Sequence, residues 1–318
     1  MLEKKLLLAD QVRIFLLGMP PDSFIFDIDN ITIIKLFEPS QVRGEILRFN
    51  SEYPSLCISD NLYFPLLITN ARRKLFIGSF TWLAICSNAD NIYQRFEEAF
   101  CDSSILHDSS ITVLANKYFF SSAILPVSSP LVLHSMLPNR AFTASYACPS
   151  HLSRDIFLSL GYSQVVPKLL NLLLCKLGNL RLSPRRLVLD ASLSRYVHGG
   201  LPVNSLLSSD SYQDSIRKHM MFVIRPGMGV ISDILSKSEF PQILPVYEES
   251  NVEMLSNAKR LHELGFSPFC NLLDQDPSVI SHFMSDSLSL CRESMPYTRI
   301  MLNGLSECSD AILSCLQS

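Results

Sequence analysis

The strongest constraint in this sequence is the alternation of short apolar runs with helical patterns. Apolar runs rich in β-branched and aromatic residues that end at Gly or polar positions are typical of buried strands. In the first half such runs are VRIFLLG (12–18), SFIFDID (23–29), SLCISD (55–60) and KLFIG (74–78). Helical spacing occurs at 1–10, 40–50 and 88–100. This alternation predicts βαβ units and a mostly parallel sheet.

The same alternation begins again in the second half. Predicted strands are RDIFLSLG (154–161), RRLVLDASL (185–193), MFVIRPG (221–227) and QILPV (242–246). Predicted helices cover 164–177, 212–220, 229–237 and 251–264, and the tail from 271 to 318 is expected to be further helix. Between 121 and 150 the chain is rich in Ser and Pro, so we place a domain boundary near residue 150. The expected domains are an N-terminal lobe, 1–150, and a C-terminal lobe, 151–318.

Composition excludes several classes of protein. The 318 residues are 47% hydrophobic and carry a net charge of −3, so the chain is neither disordered in composition nor broadly basic. A nucleic-acid partner is therefore not expected. The mean hydropathy of +0.22 is high. A parallel sheet covered on both faces would explain it, and so would an apolar surface in peripheral contact with a membrane or a partner.

Cysteine usage and the N-terminus favour a cytoplasmic location. The nine cysteines are scattered and form no CxxC pair, which predicts reduced thiols and argues against a zinc site. No apolar stretch reaches the roughly 18 residues that a membrane span needs. The segment LEKKLLLAD (2–10) has too short an apolar run for a signal peptide. We expect no bound cofactor and no metal.

The segment 221–266 has the order strand, Gly-containing turn and helix N-terminus. Gly227 and Gly229 allow a ligand to approach the backbone closely. Unpaired amides and the helix dipole favour an anion at such a place, and a diphosphate would suit it. By itself the pattern fits a tight strand-to-helix connection equally well.

The order of the whole segment resembles the donor side of GT-B glycosyltransferases. The matching elements are RPGMG, Ser232–Asp233, PQILP, Glu248–Glu249, Asn257–Ala258 and LHELG, in the family's order over roughly 45 residues. The resemblance implies an α/β protein with two Rossmann-like lobes and parallel sheets. It also implies transfer of a sugar from a nucleotide-diphosphate donor, with a uridine nucleotide favoured, to an acceptor that the sequence does not identify.

The resemblance assigns roles around the Gly turn. The amides of Gly227, Met228, Gly229 and Val230 would contact the donor diphosphate. Ser232 would cap the helix or touch a phosphate.

Charged residues of the same segment receive roles as well. Arg225 could pair with a phosphate bidentately, although a salt bridge would explain it too. Asp233 stands where the family usually has Glu, and a first-turn carboxylate favoured by the helix dipole is the alternative. Glu249 or Glu253 could accept hydrogen bonds from ribose or sugar hydroxyls. Met254 stands where many relatives have Gln, which puts sugar recognition in doubt.

A weaker resemblance in the first lobe concerns the catalytic base. Residues 55–85 resemble the family's strand ending in Ser-Asp, and Asp60 would face the cleft or cap a helix. The family usually opens with a strand and a Gly-rich loop that often carries a His, whereas this chain begins one element later. We therefore expect an incomplete N-terminal lobe, Asp60 as the substitute base, and slow or absent sugar transfer.

Two other functions remain open. The chain could be a catalytically inactive binding or assembly protein on the GT-B fold. It could also be a sugar-nucleotide epimerase, although the several acidic and His residues expected around such a cleft are not evident.

Overall fold

The computed structural model of the chain describes fifteen stretches of sequence. They are 12–17, 31–36, 39–60, 64–77, 109–119, 131–136, 153–161, 163–178, 185–197, 205–237, 241–248, 251–268, 270–283, 300 and 302–317. The predictions for residues 1–10, 23–29 and 88–100 lie outside these stretches.

Contacts divide the chain into two compact units. Unit 1 comprises Met1–Ser135 and Asn303–Ser318, and unit 2 comprises Met136–Leu302. The division therefore falls between Ser135 and Met136, and it places the C-terminal helix with the first half of the chain. The lobe boundaries predicted at 1–150 and 151–318 stay a prediction.

The described residues of unit 1 form two parallel sheets. Strands β1 (Val12–Leu17) and β2 (Ile31–Leu36) pair with each other. The second sheet has the order β3-β4-β5-β6, with β3 Leu56–Asp60, β4 Arg73–Ile77, β5 Ile111–Asn116 and β6 Leu131–His134. In β5 five of the six residues are buried, because a parallel strand inside a sheet is covered on both faces.

Three described α-helices belong to unit 1: α1 (Pro39–Phe49), α2 (Phe64–Ile68) and α7 (Gly304–Gln317). Side-chain hydrogen bonds fix the start of α7 next to the end of β6. The Glu307 carboxylate accepts from the Ser135 backbone N–H at 2.5 Å and from the Ser135 hydroxyl at 3.1 Å. The side-chain amide of Asn303 donates to the same carboxylate at 2.7 Å. The two chain segments that form unit 1 are therefore joined at this point.

In the part of unit 2 that the structure describes, five strands form one parallel sheet with the order β11-β10-β7-β8-β9. The strands are β7 Ser153–Ser159, β8 Leu187–Leu189, β9 Ser205–Leu207, β10 His219–Ile224 and β11 Gln242–Pro245. The central strands β7 and β10 carry the largest fully buried side chains of the described part of the unit. Phe157 and Phe222 pair across the two strands and are almost completely buried.

The helices of unit 2 follow its strands in the order expected for βαβ units. They are α3 Val166–Gly178, α4 Tyr212–Lys218, α5 Met228–Lys237 and α6 Val252–Glu263. The chain is helical again at 277–283. The sequence predicted each of the four named helices to within about two residues.

The strand predicted at 185–193 is too long. Strand β8 stops at Leu189, and a 3-10 helix follows at Ala191–Tyr196. Asp190 ends the strand because its carboxylate accepts from the Ser192 backbone N–H at 2.9 Å and caps that helix. A capped turn therefore interrupts a run that is apolar enough to resemble a strand.

Strands of unit 2 are covered on both faces, as one of the two explanations for the high mean hydropathy requires. Five of the six residues of β10 and all four of β11 are buried. Among the helices that the structure describes, none combines the length and apolar character that crossing a bilayer requires.

Two glycines, Gly161 and Gly44, have open space around them but differ in backbone conformation. A Cβ built on Gly161 or on Gly44 meets nothing within 4 Å. Gly161, which follows β7, has a φ of +66°, whereas Gly44 lies inside α1. We expect Gly161→Ala to lower the free energy of unfolding by about 1 kcal/mol, since L-residues are strained in the left-handed region. Gly44→Ala should raise it by about 0.5–1 kcal/mol. Urea unfolding curves measure both effects, and shifts of the same sign would contradict these expectations.

Candidate functional site

The strand order of unit 2 has a topological switch point between β7 and β10. After β7 the chain moves to β8 on one side, and after β10 it moves to β11 on the other side. Open parallel sheets bind ligands at such a switch point, outside the carboxyl ends of the strands. Here the Arg225 backbone N–H donates to the carbonyl of Ser159 at 3.3 Å, so the ends of the two strands lie together.

Arg225, Pro226 and Gly227 form a tight turn from β10 into α5. The Gly227 N–H donates back to the carbonyl of Arg225 at 2.8 Å. The first helical bond runs from the Ile231 N–H to the carbonyl of Gly227 at 3.1 Å. The amides of residues 228–230 precede that bond and have no partner within the helix. They are the donors that an anion would meet here, because the helix dipole adds to them.

The structure revises the expectation for Gly227. Its amide was predicted to contact a diphosphate, but in the structure it closes the turn onto Arg225. Met228 and Val230 are half-buried and Gly229 is exposed, so all three remain at the start of α5 as the sequence suggested.

Ser232 and Asp233 lie deeper in the helix than the N-terminal position. Ser232 is the fifth residue of α5 and cannot cap it, and its buried hydroxyl donates to Sδ of Met136 at 3.1 Å. Asp233 is outside the first turn, which contains no acidic residue. The interpretation of Asp233 as a first-turn carboxylate is therefore wrong. Instead, Asp233 is hydrogen-bonded to Tyr212, whose phenol pKa is raised by burial first and by the charges of Asp233 and Asp190 second.

Arg225 forms a bidentate ion pair with Glu248, the residue three positions after β11. The two contacts are 2.8 Å (Nη2 to Oε1) and 3.4 Å (Nε to Oε2). The side chains are only 14% and 21% exposed, so the pair is shielded from water. Partial burial opposes ionisation of Glu248, but the hydrogen bonds and charge of Arg225 outweigh it and hold the pKa of this carboxyl below its usual value. The alternative proposed for Arg225, a salt bridge, is present.

Two asparagines complete the arrangement, Asn251 at the N-cap of α6 and Asn257 within it, and sequence patterns predicted for neither a role in shaping the turn. Asn251 caps α6 by accepting from the Met254 N–H at 3.1 Å, and its amide donates to Glu248 at 3.3 Å. Asn257 is 1% exposed, and its amide donates to the carbonyl of Pro226 at 2.9 Å. The only sequence signal for Asn257 was its place in the Asn257–Ala258 pair. Residues after β11 thus hold the turn that follows β10.

Glu253 lies in the first turn of α6 near this network. Burial raises the pKa of its carboxyl, and the positive charge of Arg225 opposes part of the rise. Met254 is buried with Tyr247 and Ala258. Its methyl carbon lies 3.9 Å from the position that a Cβ on Gly227 would occupy. Glu249 lies outside the described residues.

Asp60, the predicted base, belongs to unit 1. It is the last residue of β3, at the carboxyl end of its sheet. The residue is exposed, yet the surrounding protein restricts hydration of the carboxylate and raises its pKa above the ordinary value. Its proposed catalytic role stays a prediction.

The Arg225–Glu248 pair should stabilise unit 2 in a pH-dependent way. Glu248→Gln leaves the shielded Arg225 without its hydrogen-bonded carboxylate partner, and we expect it to cost about 1–3 kcal/mol at pH 7. Because the pKa of Glu248 is lowered in the folded state, this contribution is present above the usual Glu pKa and is lost as the pH falls through the folded value.

The matched control for that variant is Glu263→Gln. It removes the more exposed pair with Arg260, whose side chains are 35% and 59% exposed. The control should cost less than about 0.5 kcal/mol. Urea unfolding at pH 7 and at about pH 3 tests both variants. An equal cost in the two variants, or a cost of Glu248→Gln that does not shrink in acid, would show that the pair is unimportant.

Solved structures share this architecture at low sequence identity. Arabidopsis thaliana UGT89C1 complexed with UDP is 10% identical, has a TM-score of 0.56, and the match covers 98% of this chain and 95% of that chain. LpCGTa in complex with UDP is 10% identical with a TM-score of 0.55, covering 100% and 95% of the two chains. CalG4, the calicheamicin glycosyltransferase, is 14% identical with a TM-score of 0.53, covering 87% and 79%.

Sequence comparison adds no relative, since no family model and no curated protein matches the chain. The structural likeness agrees with the two units and the parallel sheets described above. The predicted architecture is therefore confirmed: the chain has the GT-B fold, an α/β fold with two Rossmann-like lobes.

Proposed function

We propose that this protein is a glycosyltransferase that moves a sugar from a nucleotide-diphosphate donor to an acceptor still to be identified. The observation that carries the proposal is the N-terminus of α5 at the switch point between β7 and β10. The first turn of this helix has no acidic residue, so no carboxylate there competes with a bound anion. A diphosphate matches both the charge and the place.

The fold supports the same proposal. UGT89C1 and LpCGTa, which share it, were solved with UDP, and UGT89C1 also with UDP-L-rhamnose. We take a uridine nucleotide as the favoured donor on this ground.

In the proposed reaction the protein contributes position and electrostatics. The amides of residues 228–230 receive the diphosphate and stabilise the charge that grows on it as the sugar leaves. Glu253 accepts hydrogen bonds from donor hydroxyls, and Arg225 keeps the turn in shape through Glu248 rather than binding phosphate itself. Asp60 takes the proton from the acceptor, and a raised pKa is the direction that a base working near neutral pH needs.

A second candidate is binding of the nucleotide without turnover. It is favoured by the ion pair of Arg225, whose charge is already balanced by Glu248. With Glu253 close to the same guanidinium, this part of the site carries no surplus positive charge for a diphosphate. Donor affinity then depends on the helix amides, and weak binding with slow transfer follows.

Gly229→Asp tests the donor site. The new carboxylate stands in the first turn of α5, where the phosphate belongs, and we expect it to abolish UDP binding measured by calorimetry. Gly44→Asp is the control, because it adds the same charge at an exposed helical glycine of unit 1 with open space around it. UDP affinity that is the same in wild type and Gly229→Asp would place the nucleotide elsewhere.

Asp60→Asn tests the base. Loss of a general base slows transfer by about 10²–10⁴-fold. We expect the rate of UDP release from a UDP-sugar, measured in the presence of acceptors, to decrease by that factor, while UDP affinity stays unchanged. If the 318-residue wild type turns over fast and Asp60→Asn turns over equally fast, another group is the base. Tight UDP binding with no turnover against a broad acceptor panel would favour the second candidate.

A further inference from the structure

We propose that Asn257 is a positioning residue for the donor diphosphate, because its side chain fixes the peptide unit that precedes α5. This inference rests on the proposed function. It concerns a residue that contacts the turn from behind rather than the ligand.

The geometry holds one peptide plane at both of its polar ends. The carbonyl of Pro226 accepts from the Asn257 amide at 2.9 Å, and the N–H of Gly227 in the same peptide donates to the carbonyl of Arg225 at 2.8 Å. A peptide unit is planar, so these two bonds together define its orientation. Pro226 is buried and Asn257 is 1% exposed, so water does not compete for the first bond.

The orientation of this peptide decides which charge faces the ligand. Glycine permits backbone rotations that other residues resist, so a peptide ending at Gly227 flips easily unless something holds it. A flipped peptide would shift the following amides, residues 228–230, and would point a carbonyl oxygen in a new direction beside the anion site. The Asn257 bond opposes this rotation. Met254 adds support, since its methyl carbon lies 3.9 Å from where a Gly227 Cβ would be.

Asn257 links helix α6 to the turn that follows the neighbouring strand β10. It lies on α6, after β11, whereas the turn follows β10. The neighbouring Arg225–Glu248 pair braces the loops after β10 and β11, but it holds a side chain, whereas Asn257 holds the backbone. A donor amide is required for this, because a carbonyl can only accept.

The test compares UDP with uridine, which lacks the phosphates. In wild type UDP should bind more tightly than uridine. Asn257→Leu, similar in size but without a donor, should lower UDP affinity by about 10- to 100-fold, the effect of a small misplacement of a binding group. Uridine affinity should stay within about twofold. Asn257→Ser is the milder second variant, with a hydroxyl too short to reach the carbonyl.

Asn271→Leu is the matched control. Asn271 is 2% exposed in the same unit, and its amide donates to the carbonyl of Tyr247 at 3.4 Å. It should lose stability without a selective loss of UDP affinity.

The outcomes separate this inference from the proposed function. A loss confined to UDP in the folded Asn257 variants supports positioning. Unchanged UDP affinity, equal losses for UDP and uridine, or failure of both Asn257 variants to fold would overturn it, since the residue would then serve the fold in general. Wild-type protein that binds neither compound, or binds both equally, would instead refute the proposed donor site.

Discussion

Parallel pairing is the constraint on which the rest of this structure depends. Every strand pair in the described part of the chain is parallel, so each connection must cross the sheet and return to the same edge. The carboxyl ends of all five strands of unit 2 therefore meet at one edge. That edge brings the turn after β10 next to the loop after β11, although the two strands end 21 positions apart in the sequence. The hydrogen bonds that shape the candidate site are a result of this juxtaposition.

At that edge, an ion pair between two side chains holds the loops after β10 and β11 together. The one strongly shielded ion pair described there, Arg225 with Glu248, joins the loops after β10 and β11. Its charges cancel, so attraction for an anion falls to amides and to the dipole of α5, which together amount to about half an elementary charge. Preorganised amides suit a leaving diphosphate because they need no rearrangement as charge develops.

The sequence could predict features that depend on residues close together in the chain, but not contacts between residues far apart in it. Helices α3 to α6 and strands β7, β10 and β11 were predicted because their hydrophobic period is local. The predicted end of β8 was wrong because the Asp190 carboxylate caps a 3-10 helix, and this cap ends the strand within an apolar run. The GT-B fold could be predicted because its motifs follow one another within a single short stretch, 221–266. The partners of Arg225 and Asn257 were not, since Glu248 lies 23 residues from Arg225 and Pro226 lies 31 from Asn257. Nothing in local periodicity encodes such pairings.

The hydrogen bonds of Glu307 have a topological meaning. Ser135 is the last residue of unit 1 before the chain enters unit 2, and Asn303 is the first after it returns. Both donate hydrogen bonds to the Glu307 carboxylate, so the points at which the chain leaves and re-enters unit 1 are held next to each other. Unit 2 is in this sense a closed loop of 136–302 inserted into the other unit. A short peptide could bridge Ser135 and Asn303 and leave unit 1 continuous, and the excised loop would carry the whole candidate donor site with it.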